Sequence, residues 1–406
     1  MHGEILNIFE EKRRLTPWGD RLPRPCAIVG GVGLALAALL IPLTDHGTER
    51  FFHSYLVSFA YFLSLSLGAL FFVILQHLTR SGWSVVVRRL AEGVASNVTV
   101  LAGLAVLVLV GMGWLYHWTH GEEVAADALL QGKRPYLNPV FFIVRVVVYF
   151  AVWAGLARYF FNRSVEQDGT GEVALTLRME RASAPAMIAY ALTVTFAAFD
   201  LLMSLDPHWY STIFGVYYFS GGVVGFFAAL VLIAYLVQRS GRLERAITEE
   251  HYHDLGKLVF AFVVFWAYIA FSQYMLIWYA NIPEETGWYL HRQEGGWAAV
   301  SLLLLFGHFV LPFLALISRH PKRRPAVLVV GAVWVLLMHW VDIFWLVLPG
   351  TRFAEGGRVP LHLMDLFCFV GVGGLFVAAA IHRLRDHSLV PERDPRLPQS
   401  LSFENV

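Results

Sequence analysis

The sequence predicts an all-α, polytopic membrane protein with about ten transmembrane helices. Two observations carry this reading. Apolar stretches of roughly 20 residues, separated by short polar loops, fill most of the chain. The 406 residues are also 57% hydrophobic and only 15% charged, whereas soluble domains carry about 25% charged residues. Backbone N–H and C=O groups find no water inside a bilayer. A spanning segment must therefore be a helix or part of a closed barrel, and runs of this length are helical.

The spans fall at roughly 27–43, 53–79, 95–116, 139–161, 186–205, 210–238, 256–280, 297–318, 325–348 and 361–383. Residues 1–26 form a polar N-terminal tail, 27–383 the transmembrane domain and 384–406 a C-terminal tail. Pro25 and Pro42 bracket the first span, and Pro207 separates the fifth from the sixth, because the residue before a proline is pushed out of the helical region. The N-terminal tail, with Glu10, Glu11, Lys12, Arg13 and Arg14, lacks the layout of a cleavable signal, so the first helix is expected to be retained. The C-terminal tail is rich in proline and charge, and is expected to lie extended on the inner surface or on a partner. Spans 2–5 and 6–9 can form two four-helix bundles, with the first and tenth peripheral.

Orientation follows from Lys and Arg. The two tails and the 2–3, 4–5, 6–7 and 8–9 connections hold about 23 of them, against about 6 in the other loops, which places both tails in the cytoplasm. A cytoplasmic (inner) membrane is the expected location. Net charge is +1 and says little by itself. The two cysteines, Cys26 and Cys368, sit at or inside apolar segments and form no disulfide framework. No Gly-rich phosphate loop follows a strand, so nucleotide binding is unsupported, and nothing points to nucleic acid.

Ionisable groups inside spans are costly and are functional hypotheses by default. The fifth span carries Tyr190, Thr193, Asp200 and Ser204 on one face. The second carries His53, Ser54, Ser58, Tyr61 and Gly68. The seventh runs through Gln273 and Tyr274, and the eighth has His308, four residues before Pro312. The ninth has His339 and Asp342 one turn apart, and the tenth opens with His362 and Asp365. Most of these gather in the outer half. The plain alternative is that a lone intramembrane His or Tyr makes one interhelical hydrogen bond. Gly221, Gly225, Gly371, Gly373 and Gly374 read as close helix packing. No structural metal is expected: no span carries the paired carboxylate and histidine pattern of di-iron bundles.

Three segments bear a family likeness: Ser204-Leu-Asp-Pro-His-Trp-Tyr-Ser-Thr212, Phe271-Ser-Gln-Tyr-Met-Leu-Ile-Trp-Tyr-Ala-Asn-Ile-Pro-Glu-Glu285 and Asp394-Pro-Arg-Leu-Pro-Gln-Ser-Leu401. With the ten-span layout, they resemble the ActF-type membrane subunits of bacterial alternative complex III, in the NrfD-like family of polysulfide reductase membrane anchors. The resemblance implies a subunit of a respiratory quinol:electron-acceptor oxidoreductase, the acceptor being cytochrome c or a terminal oxidase. It implies a homologous ten-helix subunit, a multihaem cytochrome c subunit, an iron–sulfur subunit, small membrane subunits and lipid as partners. Haem and iron–sulfur clusters would sit in partner subunits only. This chain would hold no covalent cofactor, and quinone or menaquinone would be its small-molecule ligand.

Two roles follow within that reading. One is a proton path and scaffold, using Asp200, Asp342, His339, Asp365 and Tyr274 in the outer half and His308, Thr193 and Tyr190 in the inner half. The other is quinol binding, with Asp200, Gln273, Tyr274 or His339 near the head group. A secondary transporter is a third class, and it lacks the expected pair of broken helices in corresponding halves.

Overall fold

The computed structural model describes residues 8–405. Among the described residues, ten helices are long and apolar enough to cross a membrane: α1 (Trp18–Leu43), α2 (Gly47–Leu78), α3 (Val85–Val110), α4 (Pro139–Thr170), α5 (Val173–Leu205), α6 (Phe214–Arg239), α7 (Glu249–Ala280), α8 (Gly295–Leu316), α9 (Pro325–Val347) and α10 (Leu363–Leu384). No strand occurs among the described residues. The protein is a multi-pass, all-α membrane protein.

Helix α2 is the axis. It touches α3, α4 and α5 on one side, α6 and α9 on the other, and α10 along its edge. Helices α2–α5 pack as one bundle and α6–α9 as a second, joined where α2 and α5 meet α6. Helix α1 lies outside both and packs on α10. Glycines permit that contact. A Cβ on Gly33 would sit 2.8 Å from the Gly371 nitrogen, and one on Gly374 would sit 2.7 Å from the Gly30 nitrogen. Without a hydrophobic force between helices in lipid, such close backbone approach is what holds them. Gly373 instead faces the ring of Phe62. Both cysteines are free thiols.

Several helix ends lie beyond the predicted spans, and each has a cause. Helix α2 starts at Gly47 rather than 53, because Arg50 is buried against Asp365 at 2.5 Å. Helix α3 starts at Val85 rather than 95, because Arg88 and Arg89 are paired in the interior with Glu92, Asp394 and Asp168. It is interrupted at Ser96–Asn97, where the Asn97 amide reaches the Phe376 carbonyl at 3.0 Å. Helix α5 starts at Val173 and runs through Pro185. Helix α7 starts at Glu249 rather than 256, about two turns earlier, on a capping box in which Thr248 and His251 exchange hydrogen bonds.

Both tails lie on one face, here the tail face. The Leu389 N–H donates to the Arg13 carbonyl at 2.7 Å. The C-terminal segment is not extended on a surface, as its composition predicted. Asp394 is buried and accepts from Arg88 at 2.6 Å. A short helix, Leu397–Leu401, then brings Ser400 to the start of α3, where its oxygen accepts from the Val86 N–H at 3.3 Å and its hydroxyl donates to the Trp83 carbonyl at 2.5 Å. The first four N–H groups of a helix need partners from outside it. Here the C-terminal tail supplies one.

Candidate functional site

The nine candidate residues fall into separate places. Asp200 on α5 is fully buried and forms a two-pronged ion pair with Arg145 on α4, at 2.7 and 2.9 Å. The Tyr149 hydroxyl donates to the same carboxylate at 2.7 Å. Tyr190 donates to the Leu67 carbonyl on α2 at 2.9 Å, and Thr193 accepts from the Trp153 indole at 2.9 Å. Asp365 pairs with Arg50 and accepts from the His362 N–H. These contacts tie helices together; of these groups' polar atoms, Asp365 Oδ1 is left without a protein partner.

His308, His339 and Asp342 do come together, where the two bundles meet, and all three are buried. Asp342 on α9 accepts from the Tyr217 hydroxyl on α6 at 2.6 Å and from the Trp266 indole on α7 at 3.1 Å. Its donors are both neutral. Among the described residues no ion pair includes Asp342, in contrast to Asp200 and Asp365. One turn earlier, His339 Nε2 lies 2.7 Å from Ser64 Oγ on α2. That hydroxyl already donates to the Tyr61 carbonyl at 2.7 Å, so the network assigns the imidazole proton to Nε2. His339 Nδ1 is then an acceptor without a protein partner.

His308 on α8 completes the cluster. Its ring packs 4.1 Å from the Trp266 ring and 6.4 Å from that of His339. Neither of its nitrogens has a protein partner, a cost of about 1–3 kcal/mol for each buried polar group left unmatched. The backbone around it is a π-helix, Leu304–Val310, ending just before Pro312. Proline cannot donate to the carbonyl one turn back, and the widened turn is where such a mismatch is absorbed. The Trp334 indole takes the Gly307 carbonyl at 2.7 Å.

Room for the polar pair on α9 comes from α6. A Cβ on Gly221 would lie 3.2 Å from Asp342 Oδ2, and one on Gly225 would lie 2.7 Å from His339 Cδ2. These glycines are indeed a packing device, and what they admit is the imidazole and carboxyl.

One cavity reaches the cluster, and a second adjoins the first at Arg292. An apolar groove of about 760 Å³ lies between α7 and α8, and Tyr217 and Trp266, the two donors to Asp342, form part of its wall. Tyr274, Tyr289 and Arg292 line its polar portion. Gln273 lies behind them, donating to the Tyr289 hydroxyl at 3.0 Å and accepting from Ser211 at 3.1 Å. On the face opposite the tails, a second cavity of about 870 Å³ is lined by charged groups, among them Glu49, Asp206, Glu294 and Arg352, and by the imidazoles of His53 and His291. Arg292 lines both. Its guanidinium lies 3.3 Å over the Trp288 ring and donates to the carbonyls of Trp288, Trp345 and Leu346. Burial pushes its pKa down to about 9, which leaves it a cation at neutral pH.

Tyr217, Trp266, Ser64 and Arg292 were not singled out in the sequence. Aromatic residues in apolar spans look like core, and Ser64 offers only its position on the Tyr61–Gly68 stripe. Arg145 did carry a signal: a guanidinium within an apolar span, near the same end of its hairpin as Asp200. Compared with known proteins, the chain matches no family model and no curated protein.

Proposed function

We propose that this chain is a membrane-arm subunit of a respiratory quinol:acceptor oxidoreductase, of the alternative complex III type its motifs resemble, and that Asp342 is the proton station of its path. The observation that carries the reading is the contrast among three buried carboxyls. Asp200 and Asp365 are matched by arginines. Asp342 is held only by Tyr217 and Trp266, so its charge is not locked to a neighbour and it can exchange a proton with bound water. His339 and His308 stand beside it as further protonatable groups. With the tails in the cytoplasm, as the Lys and Arg distribution indicates, the charged cavity faces outward and offers the exit. Multihaem cytochrome and iron–sulfur partners would supply the redox centres.

In the assembled complex reconstituted in vesicles, Asp342→Asn is expected to lower proton-coupled quinol turnover roughly 10²-fold or more, the scale of a lost acid–base group. Asn retains an acceptor for Tyr217, so the yield of complex should hold, and Asp342→Glu should restore part of the rate. Unchanged turnover and proton release in the Asn variant would sink the reading.

The groove favours a second reading, in which this subunit also binds quinol. Ligand sites are mostly apolar with a few placed polar groups, and the groove suits an isoprenoid quinone, with Tyr274 and Tyr289 as hydroxyl partners. Ala267→Trp would fill it. The expected result is a several-fold rise in the KM for quinol at an unchanged ratio of protons to electrons. An unaltered KM assigns quinol binding elsewhere.

A further inference from the structure

We propose that His117, His120 and Glu123, on the connection between α3 and α4, form a binding site for a divalent transition-metal ion of the zinc class. The three residues follow one another at intervals of three. His117 opens a 3-10 turn, His120 precedes the helix Gly121–Ala126, and Glu123 lies in that helix. Their side chains converge: His120 Nδ1 is 3.0 Å from one Glu123 oxygen and His117 Nδ1 is 3.4 Å from the other. The three ligand atoms all lie within 4.8 Å of one another. Bonds of about 2.0–2.2 Å to a tetrahedral zinc place ligand atoms roughly 3.3–3.5 Å apart, so a small closure completes the set.

An observation outside the trio points the same way. His120 Nε2 lies 2.8 Å from the Gly113 carbonyl, which can only accept, so the ring proton is held at Nε2. In the neutral ring, Nδ1 then presents a lone pair to a carboxylate oxygen. Two acceptors at 3.0 Å require a cation between them, either a proton or a metal ion. A ring nitrogen fixed by a backbone carbonyl is also the usual outer support of a ligating histidine. The segment is anchored before any ion arrives: the Tyr116 hydroxyl donates to the Leu201 carbonyl at 3.0 Å and the Trp118 indole to the Ser204 carbonyl at 3.2 Å. All three ligands are exposed, which leaves a fourth position for water.

Protons compete for the same lone pairs. Metal affinity therefore falls as pH drops through the histidine range. The test is titration of the chelator-stripped, purified full-length protein with Zn²⁺ by calorimetry, and with Co²⁺ by its visible absorption. One ion per chain is expected. His120→Ala should weaken Zn²⁺ binding by about tenfold or more, and wild-type binding should weaken on going from about pH 7.5 to about pH 5.5. These are surface residues, so the variants should elute and melt as the wild type does. Absence of saturable binding, or binding that survives in a His117→Ala, Glu123→Gln double variant, overturns the proposal.

Discussion

Replacing Arg145 with methionine will destabilise the protein by about 3–5 kcal/mol, because the Asp200 carboxylate is left buried without its countercharge. The guanidinium makes two hydrogen bonds to Asp200, a third to the Tyr136 carbonyl at 2.8 Å, and lies 3.8 Å over the Tyr136 ring. Replacing both partners removes both desolvation costs together, so Arg145→Met, Asp200→Leu should recover most of the loss. Thermal unfolding in detergent, followed by size-exclusion of a fluorescent fusion, measures this. A double variant no more stable than the single one would show that the pair is not what holds α4 to α5. The same cycle separates structural carboxyls from working ones: Asp342→Asn, which keeps an acceptor for Tyr217 and loses only the neutral Trp266 contact, should cost about 1–3 kcal/mol.

The second large effect is expected at Arg89, which is wholly buried. Its Nε donates to Glu92 at 2.9 Å, and its Nη2 reaches Asp168 on α4 at 2.9 Å and the Ser164 hydroxyl at 3.0 Å. Its Nη1 donates to the Ser388 carbonyl at 3.3 Å. One side chain thus joins α3, α4 and the C-terminal tail. Arg89→Met strips Asp168 of its countercharge and leaves the buried Glu92 to Arg88 alone. The expected outcome is a loss of about 3–5 kcal/mol together with faster proteolysis after Arg385. By contrast Arg245, whose pairs with Glu10 and Glu11 involve a largely exposed guanidinium, should shift stability by less than about 1 kcal/mol when replaced by methionine. Equal effects at Arg89 and Arg245 would contradict this account.

Hydropathy makes the ten spans and their order legible, since each must be apolar along its length to lie in lipid. It fails at ends where charges neutralise one another indoors. Arg50 and Arg88 read as loop residues because their partners Asp365 and Asp394 are more than 300 residues away, and Arg89 because Asp168 lies 79 residues on. The candidate site was half legible for the same reason. His308, His339 and Asp342 stand out as ionisable groups in apolar spans. Their surroundings do not, because Tyr217 and Trp266 lie 125 and 76 residues from Asp342, and Ser64 lies 275 from His339. Helical periodicity gives the face a residue occupies, not which distant helix will meet it. Asp200 shows the converse. Depth alone aligns it with Arg145, 55 residues earlier, and that pairing turns a conspicuous acid into a structural one.

The cap that Ser400 places on α3 also dictates an order of events at the ribosome. Val86 and Arg88 leave the exit tunnel 314 and 306 residues ahead of Ser400 and Asp394. Helices reach the bilayer in sequence as synthesis proceeds. Until translation passes Ser400, α3 waits with its opening turn uncapped and Arg88 lacking one of its two carboxylates. The α2–α5 helices are therefore expected to meet the membrane with Arg88 paired to Glu92 alone, and to gain the second carboxylate only when Asp394 follows.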